Sequence, residues 1–323
     1  MKKIKTALFV LLTVLLSVAV QAEENLNDVI LLYEKGDFRP AADALRQKMK
    51  AAPQEPEIHF WLGKVLLKTR DWKAAAQEFE KAVNLAPENA RYHHWLGRAA
   101  GERASRAFLT TAYSLAKQVL KEFQTASKLA PDDIAIRLDL LEFYMESPGM
   151  LGGGKDKAEA EARAIAKLDP QKGYYARAMI YKEDKQWEKA KDELTRATVG
   201  FPQSAAACTD LADFLFSRKD YEGALTWGKK ALAIDHSLKN PQFIVAASET
   251  ELRKNLEHAG EMLRELAAGR LNDDDPTFEQ VYYRLGENHL ARGDKTKAKE
   301  AFSAALSYNP DYGRAKEALD RIK

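Results

Sequence analysis

Cysteine is almost missing from this sequence. Cys208 stands alone among 323 residues, so no internal disulfide can form and the fold must be held by packing. An excess of either charge is missing too, with 50 Lys and Arg against 48 Asp and Glu. That balance leaves no electrostatic footprint for nucleic acid and argues against it as a partner. After the first twenty residues there is no long apolar run, so nothing later predicts a membrane-spanning helix. Motifs of chemistry are also lacking. There is no H-E-x-x-H, no cysteine pair, and no Ser or Thr with a recognisable His/Asp partner. His59 and His93 stand 34 residues apart, but a zinc site would need two more ligands, or a carboxylate and a water; they read as packing residues. Asp273-Asp274-Asp275 lacks the glycine and distal glutamate of a calcium loop and, lying before Pro276, reads as a helix start. No cofactor, metal or catalytic residue is expected, and a lone thiol such as Cys208 reads as buried and inert.

The amino terminus reads as an address. Lys2, Lys3 and Lys5 are followed by an uncharged, mostly apolar stretch over Ala7–Val20, then Val20-Gln21-Ala22 and Glu23-Glu24. This is the three-part layout of a secretory signal peptide covering residues 1–22. The stretch falls short of the roughly 20 residues a membrane-spanning helix needs, and no cysteine stands near the cleavage point to carry a lipid. The expected mature chain, 23–323, is exported to the periplasm or the medium, with 47 basic and 48 acidic residues.

What is present is a period. Pro53, Pro87, Pro131, Pro170, Pro202 and Pro310 each follow a helix-like segment, and proline inside a helix costs about 3 kcal/mol. Their spacings are 34, 44, 39, 32 and 108; the last gap holds three units if His236 and Leu271 take proline slots. Within residues 56–89, Trp61-Leu62-Gly63 lies in one helix, Arg70-Asp71-Trp72 makes a turn, Ala75, Phe79 and Ala82 line a second helix, and Pro87 closes it. The skeleton returns as Leu96-Gly97 with Phe123, Ala126 and Pro131. It returns again as Ala178, Trp187, Ala190, Leu194 and Pro202, as Leu211-Ala212 with Tyr221, Ala224 and Ala231, and as Leu285-Gly286 with Gly293-Asp294, Ala298, Phe302 and Pro310. Gly36-Asp37-Phe38 with Ala41 and Leu45 is a looser first unit.

This skeleton resembles the tetratricopeptide repeat, here in an exported bacterial-type protein. The resemblance implies an all-α solenoid of stacked antiparallel helix pairs in a right-handed superhelix. The expected arrangement is a single domain over 23–323 with seven to eight repeats, a degenerate one near 240–271, and a C-terminal capping helix over 312–322. Small residues at Gly63, Gly97 and Gly286 let helices approach, and Phe79, Phe123 and Phe302 fill the gap toward the next unit. Each pair has an apolar face that only a neighbour can bury.

Two insertions interrupt the period. Residues 101–117 lengthen the third unit, giving either longer packed helices or a protruding hairpin. Residues 147–156 contain Gly149 to Lys155 in the order G-x-x-x-x-G-K. Asp156 replaces the Ser or Thr of a phosphate loop, and the segment before it is helical rather than a strand, so a helix stop and restart is the plainer reading.

The family register places a groove along the first helix of each pair. It would present Phe60, Lys64, Leu67 and Lys68, then Arg91, His94 and Arg98, then Tyr175, Met179 and Lys182, then Asp213 and Phe216, then Tyr283 and Glu287. Its N-terminal half is basic. Members that grip a C-terminal carboxylate use lysine and asparagine at set slots; here those slots carry Leu26 and Ile30, Phe60 and Lys64, or Trp61 and Trp95, so no such clamp is expected. Aromatic and long apolar side chains beside charges suit a bound peptide or helix. The expected function is a non-enzymatic scaffold for a protein or peptide partner in the cell envelope, in assembly or export. The alternatives are a self-associating or membrane-complex subunit, and an enzyme or anion binder using the 147–156 loop.

Overall fold

The computed structural model describes residues 26–322; the expected signal peptide lies outside them. Eight helix hairpins follow one another, and no strand occurs among the described residues. They are α1 (Asn27–Glu34) with α2 (Phe38–Ala51), α3 (Pro56–Lys68) with α4 (Trp72–Leu85), α5 (Ala90–Ala104) with α6 (Leu109–Leu129), and α7 (Ile134–Glu146) with α8 (Lys155–Leu168). Then come α9 (Pro170–Glu183) with α10 (Trp187–Gly200), α11 (Ala205–Ser217) with α12 (Tyr221–Ile234), α13 (Lys239–Glu251) with α14 (Leu256–Ala268), and α15 (Phe278–Ala291) with α16 (Lys295–Tyr308). A last helix, α17 (Gly313–Arg321), buries Ala315 against the end of the stack, with Ile322 beside it, and leaves its charged residues in solvent. This is the expected all-α solenoid with its cap.

The hairpins are built from local rules. The glycine of the Leu-Gly pair receives the ring of its own hairpin. A Cβ at Gly63 would stand 2.7 Å from Phe79, one at Gly97 2.5 Å from Phe123, and one at Gly286 2.5 Å from Phe302. Any side chain there would push the ring out of a fully packed seam. Phe79 also lies 6.0 Å from Trp95 of the following hairpin, so one ring closes its own repeat and touches the next. Aspartates cap the second helices: Asp71, Asp220 and Asp294 each accept the backbone N–H three residues on, satisfying a donor the helix cannot. The residue before the cap is left-handed, as at Gly36, Arg70, Lys219 and Gly293, which ends the first helix.

The hairpin over 239–268, weak in sequence, is regular in space; its seam holds Ala246, Ala247, Ala259 and Leu263. Over residues 101–117, α5 and α6 run long, and Phe108 and Leu109 at their connection are 83% and 80% exposed. The 147–156 loop is a helix stop and restart around a short 3₁₀ turn at Gly149–Leu151. Its backbone N–H groups at Leu151, Gly152, Gly153 and Gly154 donate to the carbonyls of Pro148, Gly149, Pro148 and Tyr144. They are not free to cradle a phosphate, and Lys155 pairs with Asp184.

The stack curves far enough for its ends to meet. Leu271 donates its backbone N–H to the Glu34 carbonyl at 2.7 Å, Phe38 meets Tyr308 ring to ring at 6.3 Å, and Arg70 pairs with Asp311 at 3.0 Å. Gly36, at φ +78°, lies under the Phe278 ring; a Cβ there would stand 2.8 Å from it. The solenoid thus closes into a ring.

Candidate functional site: the inner face

Neighbouring first helices make closer contact with one another than neighbouring second helices do, which puts the first helices on the inside of the curve. A cavity of about 800 Å³ opens there. Lys68, Arg70 and Arg98 stand on its wall from the first hairpins, Asp139, Glu142 and Glu146 on that from α7, and Phe278 and Tyr308 on that from the last hairpin.

At the N-terminal end, the predicted groove residues are already engaged. Lys64 is buried, and its Nζ lies 4.2 Å from the ring centre of Trp61, 4.7 Å from Tyr33 and 4.8 Å from Trp95. Such a cage favours a cation through the ring quadrupoles. Asp273, from the link between α14 and α15, enters it. Its carboxylate lies 2.5 Å from Lys64 Nζ and 3.5 Å from Lys68 Nζ, and accepts the Tyr33 hydroxyl. Burial alone would raise the Asp273 carboxyl, but Lys64, Lys68 and the Tyr33 hydrogen bond hold it below its ordinary value. Burial lowers Lys64, partly offset by Asp273. The slots without a lysine–asparagine pair therefore still hold a carboxylate, one from the chain itself. The triplet 273–275 does not start a helix. Thr277 does, its backbone N–H donating to Gln280 Oε1 at 2.9 Å.

Two further residues of this set do not line the groove. Phe60 is 1% exposed, enclosed by Phe79, Tyr92, Trp61 and Trp95. His94 is buried, with Nε2 2.7 Å from Asp139, which also accepts Arg98 Nε at 2.5 Å. Both helix positions face the next first helix rather than the opening. Arg91 is exposed and pairs with Glu57 at 2.5 Å, over the Phe60 ring, and Leu67 is half-buried on the cavity wall. Each predicted cation at this end has an acidic partner, so the basic strip is neutralised within the chain.

The middle differs. Tyr175, Met179 and Lys182 on α9 are half-buried, and Asp213 on α11 is exposed. They gather with Lys172 and Asp210, which sequence reasoning did not select; Lys172 Nζ lies 3.7 Å from Asp210. Asp210 is pushed up to about 6 by burial, against the pull of Lys172 and with the push of Asp213. Tyr175 is raised by burial, then by Asp210 and Asp213. At the C-terminal end, Phe216, Tyr283 and Glu287 meet around a residue not anticipated, Arg284. Its guanidinium lies 4.9 Å from the Phe216 ring centre and 2.5 Å from Glu287, which accepts the Tyr283 hydroxyl at 2.7 Å.

His59, His93 and the thiol are structural. His59 uses its two ring nitrogens on Glu78 at 2.6 Å and the Pro53 carbonyl at 3.0 Å; His93 repeats this on Glu122 and the Pro87 carbonyl. Arg137 does the same with Glu161 and the Pro131 carbonyl, and Gln242 reaches the His236 carbonyl. His236 therefore takes the proline slot, whereas Leu271 does not, having left the period to pair with Glu34. No ring nitrogen of His59 or His93 is open to a metal. Burial raises Cys208, which disfavours its reactive thiolate.

Residues 29–90, 62–107 and 175–237 match one family profile described as tetratricopeptide repeat, and residues 279–312 match a second of the same description. Among curated proteins, the chain is similar to heat shock protein STI1 of Saccharomyces cerevisiae, at 26% identity over 107 residues, 33% of this chain and 17% of that protein. Among solved structures, yeast Tom70 superposes with a TM-score of 0.59 at 18% identity, over 89% of this chain and 58% of that chain. The chain thus spans less than two-thirds of either protein, and the likeness to Tom70 is one of fold. No described helix is long and apolar enough to cross a membrane.

Proposed function

This chain belongs to the tetratricopeptide-repeat family, and from that premise we propose that it is a non-enzymatic scaffold whose inner face binds an extended segment of another protein in the cell envelope, in assembly or export. One observation carries the reading. The inner cavity joins half-buried aromatics to charged walls of both signs, the mixture that anchors and orients a peptide. In this reading the groove runs on from the cavity along the first helices α9, α11 and α15, where Tyr175, Met179, Lys182, Asp213, Phe216, Tyr283 and Glu287, none of them on the cavity wall, form its open part. Leu67, Lys68, Arg91 and Arg98 flank its other end. Export rests on the three-part leader, and its test is the N-terminus of the mature protein in fractionated cells. A start at Glu23 in the envelope fraction or the medium is expected, and an intact leader in the cytosol would contradict it.

Photoreactive residues placed one at a time in intact cells test the groove. Tyr175 and Asp213 should give adducts with a distinct protein, and Glu80 and Lys128, exposed on second helices, should not. The reverse pattern would refute the assignment. A second reading, a subunit that associates through its outer tip, is favoured by the exposed Phe108 and Leu109, since apolar groups clustered on a surface mark contact sites. Sedimentation of Phe108→Ser/Leu109→Ser beside the unaltered chain checks it; equal sedimentation of both as monomers removes self-association.

A further inference from the structure

The link Gly269–Thr277 is the longest connection between hairpins. Its nine residues compare with four in each of Ala52–Glu55, Ala86–Asn89, Ala130–Asp133, Phe201–Ser204 and Asp235–Leu238, and with the single Asp169 between α8 and α9. The hairpins do not need the extra length. The helix before it ends at Ala268 and the one after it is started by Thr277 and Gln280 alone. The surplus serves to carry an acidic residue across the ring. Leu271 anchors the link to the Glu34 carbonyl at 2.7 Å, the Asp274 carbonyl accepts from Asn240 at 2.6 Å, and Asp273 alone projects into the cage.

The cage is made wholly by other hairpins. Tyr33 comes from α1, Trp61 and Lys64 from α3, and Trp95 from α5, and packing within those hairpins holds them. Trp61 Nε1 donates to Glu57 at 3.0 Å, and Tyr33 and Trp61 meet edge to face at 5.6 Å. A buried ammonium among aromatic faces needs an anion to complete it. The chain meets that need with an acidic turn, held by the Asn272 and Asp275 side chains and by Leu271 buried in the core, from which the Asp273 carboxylate enters a cage built by other hairpins. Lys68 and Arg70 on the adjoining cavity wall are paired with Asp273 and Asp311, both from the far end of the ring, so displacing the link and opening the ring would free both cations for an acidic partner.

We propose that the cage around Lys64 is a receptor for a carboxylate on an acidic segment, that the link 269–277 fills it in cis, and that an acidic partner segment binds by displacing this link and opening the ring. The inference rests on the scaffold reading and names the partner chemistry at one end of its groove. Occupancy by Asp273 then sets a threshold: a partner segment must outcompete a tethered ligand at high effective concentration, so short or weakly acidic segments are excluded.

A fluorescent synthetic peptide of residues 269–277 is the probe, read by anisotropy against the full mature chain. The unaltered chain should bind it weakly. Leu271→Ser loosens the link without touching the cage, and Asp273→Asn removes the competing carboxylate with little change of shape. Each should tighten binding at least tenfold, so failure of one variant to fold leaves the other as the test. Adding Lys64→Met to either should abolish the gain, and a peptide carrying Asn in place of its Asp residues should not bind. The proposal is overturned if neither variant tightens binding, or if Lys64→Met leaves it unchanged. Partner adducts at Tyr175 persisting in that case would leave the scaffold standing and remove only the cage. Peptide binding with no adduct at Tyr175 or Asp213 would do the opposite.

Discussion

The two ends of the inner face solve the problem of buried charge in opposite ways. Around Lys64, cation and anion are both withdrawn from water but meet at 2.5 Å with the Tyr33 hydroxyl completing the set, and Asp273 is held ionised. Around Tyr175, the carboxylate of Asp210 is withdrawn with incomplete compensation beside the exposed Asp213, and Asp210 is pushed up to about 6. A satisfied cluster locks structure and an unsatisfied one is open to a partner. The difference teaches that a groove which looks uniform in register is divided. One end is used by the chain to hold its ring closed, while the other is exposed and electrostatically incomplete.

Six single substitutions sharpen or break this contrast. The largest effect is expected at Lys64→Met, which leaves Asp273 in the cage without its main cation. Breaking such a pair costs about 2–4 kcal/mol, and Lys64→Met/Asp273→Leu should recover much of it. Lys182→Met, in the open region, should change stability by less than about 0.5 kcal/mol; equal losses at the two lysines in denaturant titrations would erase the distinction. Next come two glycines in the same left-handed turn slot. Gly293→Ala meets nothing within 4 Å and should lose about 1 kcal/mol from strain alone, whereas Gly36→Ala also strikes the Phe278 ring and should lose about 2–3 kcal/mol. Equal losses would mean that the ends do not meet.

Asp210→Asn should act in the opposite direction. Its folded-state value is raised, so its contribution is most favourable when protonated, is lost as pH rises from the ordinary carboxylate range near 4 through about 6, and is unfavourable above. The variant should therefore be more stable than the parent by about 1–3 kcal/mol at pH 8 and nearly equal at pH 4. A loss of stability at pH 8 would show Asp210 to be well compensated. The smallest effect belongs to Lys219→Gly, where a left-handed lysine gives way to the residue that adopts this conformation freely. Thermal melts should show a gain of about 0.5–1 kcal/mol.

The hairpins were legible because each is a local contract: glycine beneath a ring, aspartate at a cap, proline or its substitute at the exit. Gly97 and Phe123 are 26 residues apart and both were legible as repeat positions, but the sequence assigned the ring to the gap toward the next unit, whereas it packs first on the glycine of its own hairpin. The direction of individual side chains was less so. Register alone put Phe60 and His94 on the groove, but a first helix touches its own partner, the previous hairpin and the next, and a position one step off the opening faces that next helix. The closure was not legible at all. Lys64 and Asp273 are 209 residues apart, and their meeting depends on small rotations accumulated over seven hairpins. The one local signal was the length of the link at 269–277, and the three aspartates there looked like a helix start because acidic residues favour helix N-termini.

Ring closure is the claim on which the division of the groove depends, and a distance across the seam tests it most directly. Spin labels at Arg39 and Ser307, exposed residues beside the Phe38–Tyr308 contact, in a Cys208→Ser background, report the gap between the first and last hairpins. A single short, narrow distribution is expected, lengthening and broadening in Lys64→Met. A long or broad distribution in the chain with Lys64 intact would contradict the closed ring.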